Sequence, residues 1–153
     1  MLDSTQVYIT PMNRNGAIII IEDDEDDRML FEEVFKSLQY SNKLLFFEDG
    51  QSALDFLNSS EIIPFLILSD INLPKLDGFQ LRDKIKMDAR LQLRCIPYLY
   101  FSTAVIQEQV IKAYSLSVQG FFRKSHSVEE FEQTISAIMT YWRLCSSPNN
   151  FLS

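Results

Sequence analysis

Residues 17–28 read AIIIIEDDEDDR: four consecutive isoleucines run directly into six consecutive acids, Glu22 to Asp27. An acidic run on a surface needs no apolar neighbour, so the junction asks for an explanation. A run of β-branched apolar residues is a strand that buries both faces, as in a parallel sheet covered by helices on each side. Such a strand delivers the residues that follow it to the edge of the sheet. Glu22 and Asp23 then belong to that edge. Glu25, Asp26 and Asp27 fall in the first turn of the next helix, where negative charge favours the helix N-terminus, with Asp24 as loop residue or N-cap.

The rest of the chain repeats this unit. Apolar runs at residues 17–21, 44–47, 65–69, 98–101 and 121–123 are each followed by an amphipathic segment. Helices are predicted over residues 25–38, 51–58, 79–87 and 105–116 from the three-and-four spacing of their apolar positions. In the last helix Val128, Phe131, Ile135, Ile138 and Trp142 form one stripe. Ser127 followed by Glu130 predicts a capping box at its start. Pro148, Asn149 and Asn150 are expected to end it. Strands alternating with helices imply parallel strands joined by right-handed crossovers. The expected fold is therefore α/β, a doubly wound five-stranded parallel sheet with five helices. Residues 1–15 read as an N-terminal arm, 16–145 as the domain and 146–153 as a short tail, with no output domain after it.

Composition narrows the function. The 153 residues suit one domain with a real core. The net charge is −7, but without the six-residue run 15 acids face 14 bases, so the acidity is local. No basic stripe exists, which argues against nucleic acid as a partner. The longest apolar run is far below the ~20 residues of a membrane-spanning helix. No signal peptide opens the chain, and a soluble, cytoplasmic protein without a membrane partner is expected. Cys95 and Cys145, too few for a disulfide or zinc framework, are expected to be packing residues in a reduced compartment.

Ligands of an open α/β sheet bind beyond the carboxyl ends of its strands. Glu22 and Asp23 follow the first strand, Asp70 the third, Ser102 and Thr103 the fourth, and Lys124 ends the fifth. Three carboxylates gathered at one edge repel one another. A hard divalent cation with oxygen ligands relieves that repulsion, and Mg²⁺ fits because it needs few protein ligands and leaves positions for phosphate oxygens. Lys124 and Ser102 add a cation and a hydroxyl suited to the same phosphoryl group. A carboxylate can itself be the nucleophile and form an aspartyl phosphate.

With these residues assembled, the chain resembles the receiver domains of two-component response regulators. The matching stretches are IIIIEDDEDD (18–27), FLILSDINLPKLDGF (65–79), PYLYFST (97–103) and GFFRKS (120–125). The long connection between Asp70 and Pro97 is similar to that of the phytochrome-associated, single-domain members. The resemblance implies a flavodoxin-like, three-layer receiver in which Asp70 accepts a phosphoryl group. Asp23 would bind Mg²⁺ directly, Glu22 mainly through water, and Asn72 through its backbone carbonyl. Ser102 would be a switch hydroxyl, Lys124 the partner of the phosphoryl oxygen, and Phe121 an aromatic ring that follows the hydroxyl. Thr103 and Ala104 are small enough to leave an entry path. Asp77 and Gly78 read as turn and helix-start residues.

His126, the single histidine, reads as a surface residue and not as an internal phosphodonor. The phosphate should then come from a histidine kinase or a histidine phosphotransfer protein. The face of the fourth helix, fifth strand and fifth helix is expected to bind a downstream protein or form a homodimer. Receivers usually carry proline after the lysine, often through a cis bond. Ser125 stands there, so a trans bond or a rearranged loop is expected, because a cis bond before a non-proline costs about 2.5–4 kcal/mol. Two other readings were weighed. A receiver-like binding module that takes no phosphate is disfavoured by the complete residue set. A multiple-turnover phosphatase or phosphotransferase would need a cap and an aspartate-x-aspartate pair, and Asn72 occupies the second position. Slow self-dephosphorylation is compatible with the receiver reading.

Overall fold

A computed structural model describes residues 14–146. Five strands form one parallel sheet: β1 (Ile18–Ile21), β2 (Leu44–Phe47), β3 (Leu66–Ser69), β4 (Tyr98–Ser102) and β5 (Gly120–Arg123). Their order across the sheet is β2-β1-β3-β4-β5, so the direction of winding reverses beside β1. The helices are α1 (Glu25–Ser37), α2 (Gly50–Ser59), α3 (Gly78–Met87), α4 (Ala89–Leu93), α5 (Gln107–Ser115) and α6 (Val128–Leu144).

The isoleucine run divides between two cores. Successive strand side chains point to opposite faces. Ile18 and Ile20 therefore join Phe31, Val34 and Phe35 of α1 and Phe131, Ile135 and Ile138 of α6. Ile19 and Ile21 join residues of α2, α3, α4 and α5 on the other face. All four isoleucines are at most 1% exposed, which is why none of the four positions is polar.

The described residues form six helices where five were expected. The sixth, α4, lies in the long connection before β4. Asp88 closes α3 and caps α4, accepting from the backbone N–H groups of Arg90 and Leu91. Only Leu91 of this helix is buried, so no apolar stripe announces it. Arg90 and Arg94 reach back to the carbonyls of Leu57, Asn58 and Ser60 at the end of α2.

The α6 stripe differs from expectation at its first position, where Val128 is exposed; Trp142 at the other end is partly buried and packs against the α1–α6 core. The predicted capping box is half made. Ser127 accepts from the Glu130 N–H, but Glu130 Oε2 accepts from Ser125 Oγ instead of reaching back to Ser127. The Ser127 N–H donates to Ser125 Oγ. Helix α6 closes at Cys145, and Pro148, Asn149 and Asn150 lie outside the described residues. Cys95 is not a packing residue: it is exposed, at φ 49°, after α4. Cys145 packs partly against the α1–α6 core. Of the expected arm, residues 1–13 lie outside the description, and Arg14 is held through its carbonyl by Asn42 Nδ2. Of the tail, residues 147–153 are likewise outside. No helix among the described residues is long and apolar enough to cross a membrane.

Candidate functional site

The strand ladder continues past the strand ends and brings the polar residues together. The Glu22 N–H donates to the Phe47 carbonyl, the Asp70 N–H to Ile21, and the Lys124 N–H to Ser102. One carboxylate oxygen each from Glu22, Asp23 and Asp70 then lies within 4.8 Å of the others. Glu22 is buried, Asp70 partly so, and Asp23 is exposed at the rim. Asn72 is exposed in the loop two residues after Asp70.

Among the described residues, the cation paired with the carboxylates of this group is Lys124. Lys124, whose side chain is 7% exposed, donates from Nζ to Glu22 Oε2, to Asp70 Oδ2 at 3.1 Å and to Asp27 Oδ2 at 3.0 Å. One ammonium serves three carboxylates, and the most buried of them, Glu22, carries the largest desolvation penalty. Burial, reinforced by the charge of Asp70 and opposed by Lys124, pushes Glu22 up to about 7. Burial alone would lower the Lys124 ammonium. Its hydrogen bond and charge interaction with Glu22, with Asp70 behind them, reverse that and hold it above its ordinary value. An oxygen-only donor set with uncompensated negative charge fits a hard divalent cation.

The Asp70 loop is fixed by close backbone approaches. The Gly78 N–H donates to the Ile71 carbonyl at 2.8 Å, and a Cβ at Gly78 would lie 2.3 Å from the Asp70 carbonyl oxygen. A Cβ at Gly50 would lie 2.1 Å from the Leu76 carbonyl oxygen, so the start of α2 presses directly on the same loop. Tyr98 and Tyr100 donate their hydroxyls to the Gly78 carbonyl, at 3.2 and 2.7 Å. Asp77 caps α3 with a complete capping box through Gln80. Within the loop, Lys75 takes φ 63° and sits 3.6 Å from Asp49. Asp49 caps α2, and the Ser52 backbone N–H holds its carboxyl below the ordinary range.

Ser102 is buried and donates Oγ to the Ala104 carbonyl at 2.9 Å. Thr103 and Ala104 are exposed beside it. Phe121 is half-buried with its ring 6.0 Å from that of Tyr100. His126 is exposed. The described chain contains no cis peptide bond, so Lys124–Ser125 is trans. Asp27 is the site residue the sequence reading left at a helix start. Its backbone does belong there, donating to the Asp24 cap. Helical side chains, however, lean toward the N-terminus of their helix, which carries the third residue of α1 back over the sheet edge to Lys124.

A family model described as the response regulator receiver domain matches residues 18–136. The probable methanogenesis regulatory protein FilR2 of Methanothrix harundinacea is 32% identical over 129 residues, covering 82% of each chain. Response regulator Rcp1 of Synechocystis is 31% identical over 135 residues, 85% of this chain and 90% of Rcp1. The Mn²⁺-bound crystal structure of Rcp1 superposes with a TM-score of 0.73 over 86% of this chain and 97% of that one, at 30% identity. The phosphorylated cyanobacterial phytochrome response regulator RcpA gives a TM-score of 0.75 over 87% of this chain and 97% of its own, at 28% identity.

Proposed function

The chain belongs to the response regulator receiver domain family, and we propose that it accepts a phosphoryl group on Asp70 from a phosphohistidine of a partner protein. One observation carries this reading: Asp70 is within hydrogen-bond reach of the Lys124 ammonium and shares a cluster with Glu22 and Asp23. A phosphoryl acceptor needs that combination of a nucleophilic oxygen, an adjacent cation and a metal-binding carboxylate group. That RcpA is known in a phosphorylated form and Rcp1 with Mn²⁺ bound supports it.

In the proposed step an Asp70 oxygen forms a bond to phosphorus. The bond between phosphorus and the donor imidazole nitrogen breaks, and its electron pair stays on the imidazole. The product is an acyl phosphate, a mixed anhydride in which the Asp70 carboxylate has lost its charge while the phosphoryl oxygens bring more. Lys124, already donating to Asp70, turns its ammonium to a phosphoryl oxygen. Glu22, Asp23, Asp70 and the Asn72 carbonyl would hold Mg²⁺, which supplies positive charge against the transferred group. Ser102 gives up its bond to the Ala104 carbonyl and donates to the phosphoryl group. Phe121, whose ring lies 6.0 Å from that of Tyr100, follows the hydroxyl. Water attack on the acyl phosphate returns the resting state slowly, without multiple turnover on small esters.

The face that reads this change is formed by α5, β5 and α6, the counterparts of the expected fourth helix, fifth strand and fifth helix. Exposed Ile111 and Tyr114 on α5 and Tyr141 on α6 support contact with a downstream protein or a homodimer there. The cell compartment proposed is the cytoplasm, and neither nucleic acid nor membrane is proposed as a partner. The test is incubation with acetyl phosphate and Mg²⁺ followed by intact mass. A gain of one phosphate that chelator prevents is expected. No gain would leave a receiver-like binding module as the better account.

A further inference from the structure

We infer that Asp27 is a positioning residue for Lys124, and through it for the phosphoryl transfer proposed above, on which this inference rests. A lysine ammonium has three N–H donors and no acceptor. In this structure Glu22, Asp27 and Asp70 take all three. Two of those carboxylates, Glu22 and Asp70, belong to the cluster that can gather around a cation, with Asp23 as the third member; Asp27 does not. Positive charge entering the cluster therefore competes with Lys124 for two of its acceptors, a phosphoryl group arriving on Asp70 competes for one, and both leave Asp27.

Asp27 is suited to hold on. It stands on the first turn of α1, its backbone N–H bonded to the Asp24 cap at 3.1 Å, and its side chain is short and 27% exposed. Lys124 is the opposite, a four-carbon stem with much rotamer freedom to lose. Anchoring one N–H to a helix leaves the other two aimed at Glu22 and at Asp70 or its phosphoryl oxygen. The cost is one more negative charge beside the site. An uncharged acceptor of the same reach keeps the anchor and drops that cost, whereas the shorter serine does not reach Lys124, so Asp27→Asn separates the two effects.

The experiment compares wild type with Asp27→Ala, Asp27→Ser and Asp27→Asn in three readouts: phosphate uptake from acetyl phosphate at saturating Mg²⁺, Mg²⁺ affinity by calorimetry, and the ¹H–¹⁵N ammonium signal of Lys124 in metal-free protein. Loss of the anchor in Asp27→Ala and Asp27→Ser should slow uptake about tenfold, the scale of a modest misplacement of a reacting group. Mg²⁺ affinity should stay at its wild-type value, and the slowly exchanging Lys124 signal should disappear. Asp27→Asn should restore both the signal and most of the rate. Wild-type or faster uptake in Asp27→Ala, a fall in Mg²⁺ affinity that matches the fall in rate, or a Lys124 signal that survives in Asp27→Ala would each overturn the inference. The alanine and serine variants guard against misfolding of either one. If wild type itself took no phosphate, the receiver reading would fall, and the ammonium signal would still decide the role of Asp27.

Discussion

Two loops meet at the carboxylate edge of the sheet, and they are held by opposite means. The loop from Asp70 to Gly78 is held by backbone contact. Gly50 and Gly78 bring main chain against main chain at distances no Cβ allows, and two buried tyrosines donate to the Gly78 carbonyl. The loop from Lys124 to Ser127 is held by side-chain charge and hydroxyls: Lys124 on three carboxylates, Ser125 on Glu130, and the Ser127 N–H on Ser125. The first arrangement is rigid because interiors are close-packed and yield little. The second is adjustable because it depends on protonation, on bound cations and on a long flexible stem. A carboxylate placed by packing and a counter-charge placed by electrostatics suit the proposed phosphoryl transfer, in which charge changes while the scaffold does not.

That contrast breaks most readily at the glycines. Gly78→Ala and Gly50→Ala should each cost about 3 kcal/mol, the upper part of the range for overpacking, measured by urea denaturation. Neither position needs a positive φ, so the cost is one of space; losses below about 0.5 kcal/mol would mean the loop adjusts after all. Removing the counter-charge comes next. Lys124→Met should destabilise the metal-free protein by about 3 kcal/mol near pH 8, because Glu22 is left buried and charged. At pH 5 the loss should be smaller, since Glu22 is then protonated. An equal loss at both pH values would contradict the electrostatic account.

The wild-type protein carries its own pH signature. Glu22 is raised to about 7 in the folded chain from an ordinary 4.5. Between those values the folded state binds more protons than the unfolded one, so stability falls as pH rises through that window. In chelator the fall should be on the order of 2 kcal/mol between pH 4.5 and 7.5, read by thermal melts, and Mg²⁺ should flatten it. Asp49 acts in a separate window. Its lowered value gives stability that is present above about pH 4 and is lost below it. The smallest effect is at the hydroxyl. Ser125→Ala removes the bonds to Glu130 and from Ser127, and should cost about 0.5–1 kcal/mol with little change in the Asp70 loop.

The same contrast explains what could be read without coordinates. Each strand was placed to within about one residue, because continuous apolar runs such as IIII and LLFF admit few other environments. The edge cluster of Glu22, Asp23 and Asp70 with Lys124 was also legible, since topology alone puts residues that follow parallel strands at one edge. Helix α4 was not, because a single buried leucine sets no period. Asp27 was hidden inside a run of like residues whose shared reading was helix-start charge. The half-made capping box was hidden for a related reason: the Glu130 carboxylate could accept from the Ser127 backbone N–H or from the Ser125 hydroxyl, and spacing does not say which it will take. Packing leaves periodic traces in a sequence, whereas a choice among polar partners leaves none.

The central claim is that Asp70 is the oxygen that takes the phosphate. It is tested most directly by borohydride trapping after exposure to acetyl phosphate and Mg²⁺, followed by peptide mapping. Reduction of an aspartyl phosphate leaves homoserine in place of the aspartate, so the account predicts homoserine at position 70, absent in chelator and absent in Asp70→Asn. Homoserine at another acidic position, or an Asp70→Asn protein that still takes phosphate at full stoichiometry, would contradict it.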